Sequence, residues 1–144
     1  MGTLPWPGPR RSIEALAVRH GRGTVVTACV DLLDGRPVDG HLLVGLGGPP
    51  AEWALDGSAP GPDYWTRVWA LRGLLWLWDD RATEALVRAH RYDAWRVREM
   101  AAKVVARHEV EAALPSVLAL RTDQVLRVRV AAGRAVVRLT SGHR

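Results

Sequence analysis

A repetition at 31 residues constrains this chain more than any other feature. Val97-Arg98-Glu99-Met100-Ala101-Ala102-Lys103, moved forward by 31, falls on Val128-Arg129-Val130-Ala131-Ala132-Gly133-Arg134; moved back, it falls on Thr66-Arg67-Val68-Trp69-Ala70-Leu71-Arg72. Two columns survive both shifts, Arg67/Arg98/Arg129 and Ala70/Ala101/Ala132. A fixed period of this length marks stacked supersecondary units, none of which buries its apolar face alone. The units are helical. The chain has no Phe, no sustained alternation of apolar and polar residues, and no Asn-Gly or Asp-Gly turn between two such runs.

Helix signals recur along the length. Ser12 is placed to cap a helix to His20, Thr24 one to about Leu33 stopped by Gly35, and Asp39 a short one to about Leu46. Residues 47–62 read as a Gly/Pro-rich loop around one apolar turn, Ala51 to Leu55. After it we expect helices over 63–78, 80–91, 93–107, 109–121 and 123–139, four of them opened by Asp, the residue that satisfies orphan N–H groups at a positive helix end. Residues 1–10 read as a flexible N-terminus, and 11–144 as one helical domain in which 11–46 form the N-terminal helices and 63–139 about two and a half repeats.

Of the 144 residues, 48% are hydrophobic and 24% charged, an ordinary globular balance that excludes disordered and fibrous chains. The one cysteine excludes an internal disulfide, and the strongly apolar stretch Leu74 to Trp78 is far too short to span a bilayer. The Pro- and Gly-rich N-terminus has no apolar core of a signal peptide, so we expect a cytoplasmic protein without a membrane partner. Charge is unevenly spread. Residues 1–120 balance 14 basic against 14 acidic side chains, so the net +5 lies in Arg121, Arg127, Arg129, Arg134, Arg138 and Arg144 against Asp123 alone. That end attracts anionic partners.

The stretch from Ala113-Leu114-Pro115 through Leu118, Asp123, Val128-Arg129, Ala131-Ala132, Ala135 and Leu139 resembles the HEAT-repeat family of armadillo-like proteins. Residues 93–107 follow the same pattern and 63–78 do so more loosely. The resemblance implies an all-α superhelical solenoid of stacked antiparallel helix pairs, in which a turn Asp and a helix Arg form a ladder between neighbouring repeats. The spacing from Asp123 to Arg129 fits that ladder, whereas Asp93 to Arg98 is one residue short and Asp63 to Arg67 two short. Arg67, Arg98 and Arg129 are accordingly expected to be structural. The family architecture specifies shape far better than activity.

Helical projection places Arg96, Glu99, Lys103 and Arg107 on one stripe, opposite Val97, Met100, Ala101, Val104 and Val105. The 31-residue shift then aligns three rows: Trp65/Arg96/Arg127, Arg72/Lys103/Arg134 and Trp76/Arg107/Arg138. In HEAT-like arrays such second helices line the concave surface, so a basic concave face binding an acidic protein partner is expected, with nucleic-acid phosphates as the alternative ligand. Trp65 and Trp76 are the candidate anchors, while Trp69, Trp78 and Trp95 are expected in the core. Leu126, Val130 and Val137 form a second apolar stripe on the last helix. With no later repeat to cover it, this stripe is expected to pack on the preceding helix, or else to meet a partner or a second copy in a homodimer.

Chemistry is sparse. The only lysine, Lys103, stands inside a helix, so there is no P-loop, and Gly45-Leu46-Gly47-Gly48 lacks the preceding strand of a dinucleotide site. His20, His41, His90, His108 and His143 are scattered, and no metal site is expected. Cys29 lies in an apolar helix, and no Ser pairs with a His at catalytic spacing, so neither a catalytic residue nor a cofactor is assigned. The enzymatic alternative is a likeness in architecture to HEAT-like alkylpurine DNA glycosylases, for which Glu99 is the one acid among the cations.

Overall fold

A computed structural model describes residues 5–55 and 64–141. The described residues are helical with no strand, as expected. They divide into two compact units, one ending at Leu77 and the other beginning at Trp78.

The first unit holds α1 (Pro9–His20), α2 (Arg22–Leu33), α3 (Gly40–Gly47), α4 (Pro50–Leu55) and α5 (Trp65–Trp76). Glycine sets its first boundaries. Gly8 and Gly21 adopt φ of 100° and 90°, where a side chain would be strained, and α1 and α2 begin immediately after them rather than at Ser12 and Thr24. Ser12 is therefore inside α1, where its hydroxyl donates to the Gly45 carbonyl at 2.7 Å. Asp39 does cap α3, accepting from the His41 N–H at 2.8 Å. Helix α4 covers the predicted apolar turn, while α3 runs on into the predicted loop as far as Gly47; residues 56–62 of that loop, and Asp63, lie outside the described residues. Helix α5 packs on α2 so closely that a Cβ on Gly73 would stand 2.6 Å from Cys29 Sγ and 2.7 Å from Leu46 Cδ2.

The second unit repeats one pattern twice. A 3-10 turn at Asp80–Ala82 leads into α6 (Thr83–Ala89), followed by α7 (Trp95–His108); a 3-10 turn at Glu111–Ala113 leads into α8 (Leu114–Leu120), followed by α9 (Leu126–Thr140). Turn, short helix and long helix each recur at 31 residues. The short helices are shorter than their capping residues suggest. Asp79, not Asp80, supplies the first cap, by accepting from the Arg81 N–H at 2.9 Å, and Glu109 ends α7 in the left-handed conformation (φ 51°) instead of starting the next helix. Val97, Ala101, Val104 and Val105 of α7 and Val128, Ala132 and Ala135 of α9 are buried at matching faces. The apolar stripe of α9, by contrast, is not packed on the preceding helix. Leu126 is 63% exposed, Val130 44% and Val137 61%. It lies opposite the buried face of α9, which Val128, Ala131, Ala132, Ala135 and Val136 form.

His90 is buried at the end of α6, with Nδ1 donating to the Leu86 carbonyl at 2.8 Å. Burial lowers its pKa below 6.5, although the main-chain bonds to Leu86 and Val87 oppose the shift. The neutral ring is the folded form, so its stabilising contribution is complete above 6.5 and is lost as pH falls through the folded value. Melting temperature is expected to drop by a few degrees between about pH 7.5 and pH 5, and His90→Asn, which keeps a donor near Leu86, should flatten that dependence. An equal slope in wild type and variant would assign the loss to other groups.

Candidate cationic face of the second unit

The ladder arginines are held as the repeat suggests, through atoms any residue can supply. Arg98 Nη1 donates to the carbonyls of Tyr92 (2.9 Å) and Asp93 (2.6 Å), and Arg129 Nη1 to those of Asp123 (2.7 Å) and Gln124 (3.2 Å), which are the same positions moved by 31. The other edge of Arg98 reaches the next turn. Its Nε and Nη2 donate to the two carboxylate oxygens of Asp123 at 2.8 and 3.2 Å, a bidentate pair. Desolvation pushes the Asp123 carboxyl up, but the Arg98 bonds, the Val125 N–H and the charges of Arg98 and Arg129 outweigh it and hold the pKa below 3.8. This explains the spacing that is one residue short: the counterpart of Asp123 is Tyr92, not Asp93.

With those arginines anchored, the remaining cations of α7 and α9 are exposed: Arg96, Lys103, Arg107, Arg127, Arg134 and Arg138. Two carboxylates stand among them. Arg127 Nε donates to Glu99 Oε2 at 3.0 Å, Lys103 Nζ lies 3.7 Å from the same oxygen, and Arg138 Nη2 donates to Glu109 Oε2 at 3.2 Å. Trp95 carries two guanidinium groups, with Arg96 4.6 Å and Arg127 5.2 Å from its ring. Contrary to expectation, then, Trp95 is a half-buried platform rather than core, and Glu99 is an ion-pair partner of two cations. The shift could have found both, because Trp95 and Glu99 correspond to Leu126 and Val130 of the helix that packs beside them. Arg134 is exposed and makes no ion pair among the described residues.

The three candidates in the first unit are placed differently. Arg72 is turned inward: Nη2 donates to the Leu46 carbonyl at 2.9 Å, the guanidinium lies 5.7 Å from the Trp6 ring, and burial lowers its pKa from the usual guanidinium range. Trp6 is itself seated against Gly48, where a Cβ would be 2.8 Å from the indole. Trp76 is covered by Arg10, 4.9 Å from its ring, while Trp65 is partly exposed beside Tyr64, ring centres 5.0 Å apart. Trp69 is buried, and Trp78 is half-buried, stacked on His108 at 5.4 Å.

Among the described residues no group of His, Cys, Asp or Glu is placed to hold a metal ion, and no helix is long and apolar enough to cross a membrane. Burial pushes the Cys29 thiol up to about 12, so no thiolate forms there near neutral pH. Comparison with known protein families, with characterised proteins and with solved structures gives no match.

Proposed function

We propose that the chain is a non-catalytic HEAT-like interaction module, and that the face formed by α7 and α9 binds an acidic protein segment. The observation that carries this reading is the set of six exposed cations on two adjacent helices, Arg96, Lys103 and Arg107 beside Arg127, Arg134 and Arg138. Five of the six are Arg, whose planar fork engages carboxylates in pairs. Glu99 is engaged by Arg127 and Lys103, which suits it to fixing those side chains rather than to general-acid or general-base chemistry.

The test is fluorescence anisotropy with a labelled Glu-rich peptide and, separately, a DNA duplex, at low and then physiological salt. The peptide is expected to bind more tightly than the duplex. Replacing Arg96, Arg127 and Arg134 together by Gln should weaken it by at least about tenfold while the melting curve stays cooperative, since all three side chains are exposed and an amide at 127 can still donate to Glu99. Unchanged peptide affinity in the triple variant would remove the face from the proposal. Tighter, steeply salt-dependent duplex binding would instead support the nucleic-acid alternative and justify a glycosylase assay.

A further inference from the structure

We infer that the outer face of α9 is a docking seam for an acidic amphipathic helix of a partner protein, laid parallel to α9. This rests on the reading of the second unit as an acidic-partner module and specifies the form the partner takes.

The packing of α9 on α7 supplies the template. Arg127, at the start of α9, meets Trp95 and Glu99 near the start of α7, and Arg138, near its end, meets Glu109 just past the end of α7, so the two helices run parallel. Moved by 31 residues, the receiving positions Trp95, Glu99 and Glu109 become Leu126, Val130 and Thr140. The exposed stripe of α9 is therefore the positional equivalent of the surface on which a helix already sits in the preceding repeat. Leu126, Val130, Gly133 and Val137 follow spacings of four, three and four, the seam of a helix pair. At its centre, Gly133 has nothing within 4 Å of where a Cβ would stand, so a second backbone can approach closely.

Two observations give the occupant its charge. Arg129 repeats the main-chain bonds of Arg98, yet no carboxylate among the described residues fills the place that Asp123 takes on Arg98. A partner helix preceded by an Asp, as α9 is preceded by Asp123, would meet it. Along the seam, Arg127 and Arg134 flank the apolar positions on the side toward α7, and α9 carries four Arg and no carboxylate. A second copy of α9 would set like charges together across the seam, whereas a helix with Glu along one flank would pair them.

The experiment uses the intact chain and a labelled peptide of about 20 residues, with Asp three residues before the helical stretch, Leu at heptad spacing and Glu along one flank. A scrambled peptide of the same composition is the control. The ordered peptide should bind at least about tenfold tighter than the scrambled one, and both Gly133→Leu and the pair Val130→Ser, Val137→Ser should remove that advantage. Gly133→Leu is expected to fold, because the site is open and Leu is the better helix former. Equal binding of the two peptides would overturn the seam and leave the acidic-partner reading standing. If neither binds, both fall. A dimer in sedimentation equilibrium that Gly133→Leu dissociates would give the seam to a second copy and overturn the inference.

Discussion

Arg98→Ala is expected to cost about 3 kcal/mol of stability, because it leaves a largely buried carboxylate without its counter-charge. The side chains of Arg98 and Asp123 are 17% and 9% exposed, and the guanidinium also satisfies the carbonyls of Tyr92 and Asp93. Removing it strips Asp123 of both bidentate bonds and leaves the Val125 N–H at 2.9 Å as its remaining donor. Asp123→Asn should cost less, since an amide oxygen still accepts from Val125. The contribution of the pair is fully present above 3.8 and is lost as pH falls through the depressed folded value of Asp123. Urea unfolding near neutral pH with an unchanged m-value measures the loss; a value below about 1 kcal/mol would put the pair with exposed ion pairs, whose removal costs little.

The second large effect is expected at Gly73, where Gly73→Leu should unfold the first unit. The Cβ alone would approach Cys29 Sγ and Leu46 Cδ2 within 3 Å, and neither neighbour has solvent to retreat into. Gly73→Ala should cost about 1–3 kcal/mol from overpacking, even though Ala is the better helix former. Gly133→Ala makes the sign depend on surroundings: the same substitution in an open helix position should stabilise by about 0.5–1 kcal/mol. Circular dichroism melts of the two Ala variants decide it, and stabilisation by Gly73→Ala would mean that α2 and α5 cross less closely than described.

The helical class, the 31-residue period and the burial of Cys29 were legible in the sequence because apolar spacing and repetition are properties of the chain itself. The cation rows on α7 and α9 were legible for the same reason, since 3.6 residues per turn fixes which side chains share a face. Arg72 was not, because the carbonyl that holds it belongs to Leu46, far away in sequence, and carbonyls leave no mark in composition. Trp95 was misread as core because an aromatic at helical spacing looks the same whether its ring meets Val or guanidinium. Glu109 seemed to open a helix because acids favour that end, whereas here it takes a left-handed turn more often given to Gly.

The way the ladder arginines are tied down separates what the sequence must keep from what it is free to rewrite. Arg98 and Arg129 grip peptide oxygens, which Tyr92, Asp93 and Gln124 offer whatever their side chains are. The joint between the hairpins thus asks for three specified side chains, Arg98, Asp123 and Arg129, while the cations beside it make their ion pairs and ring contacts at the exposed surface. Substitutions among the exposed cations therefore alter the charge that the second unit presents while leaving the bonds that join α7 to the turn at Asp123 in place.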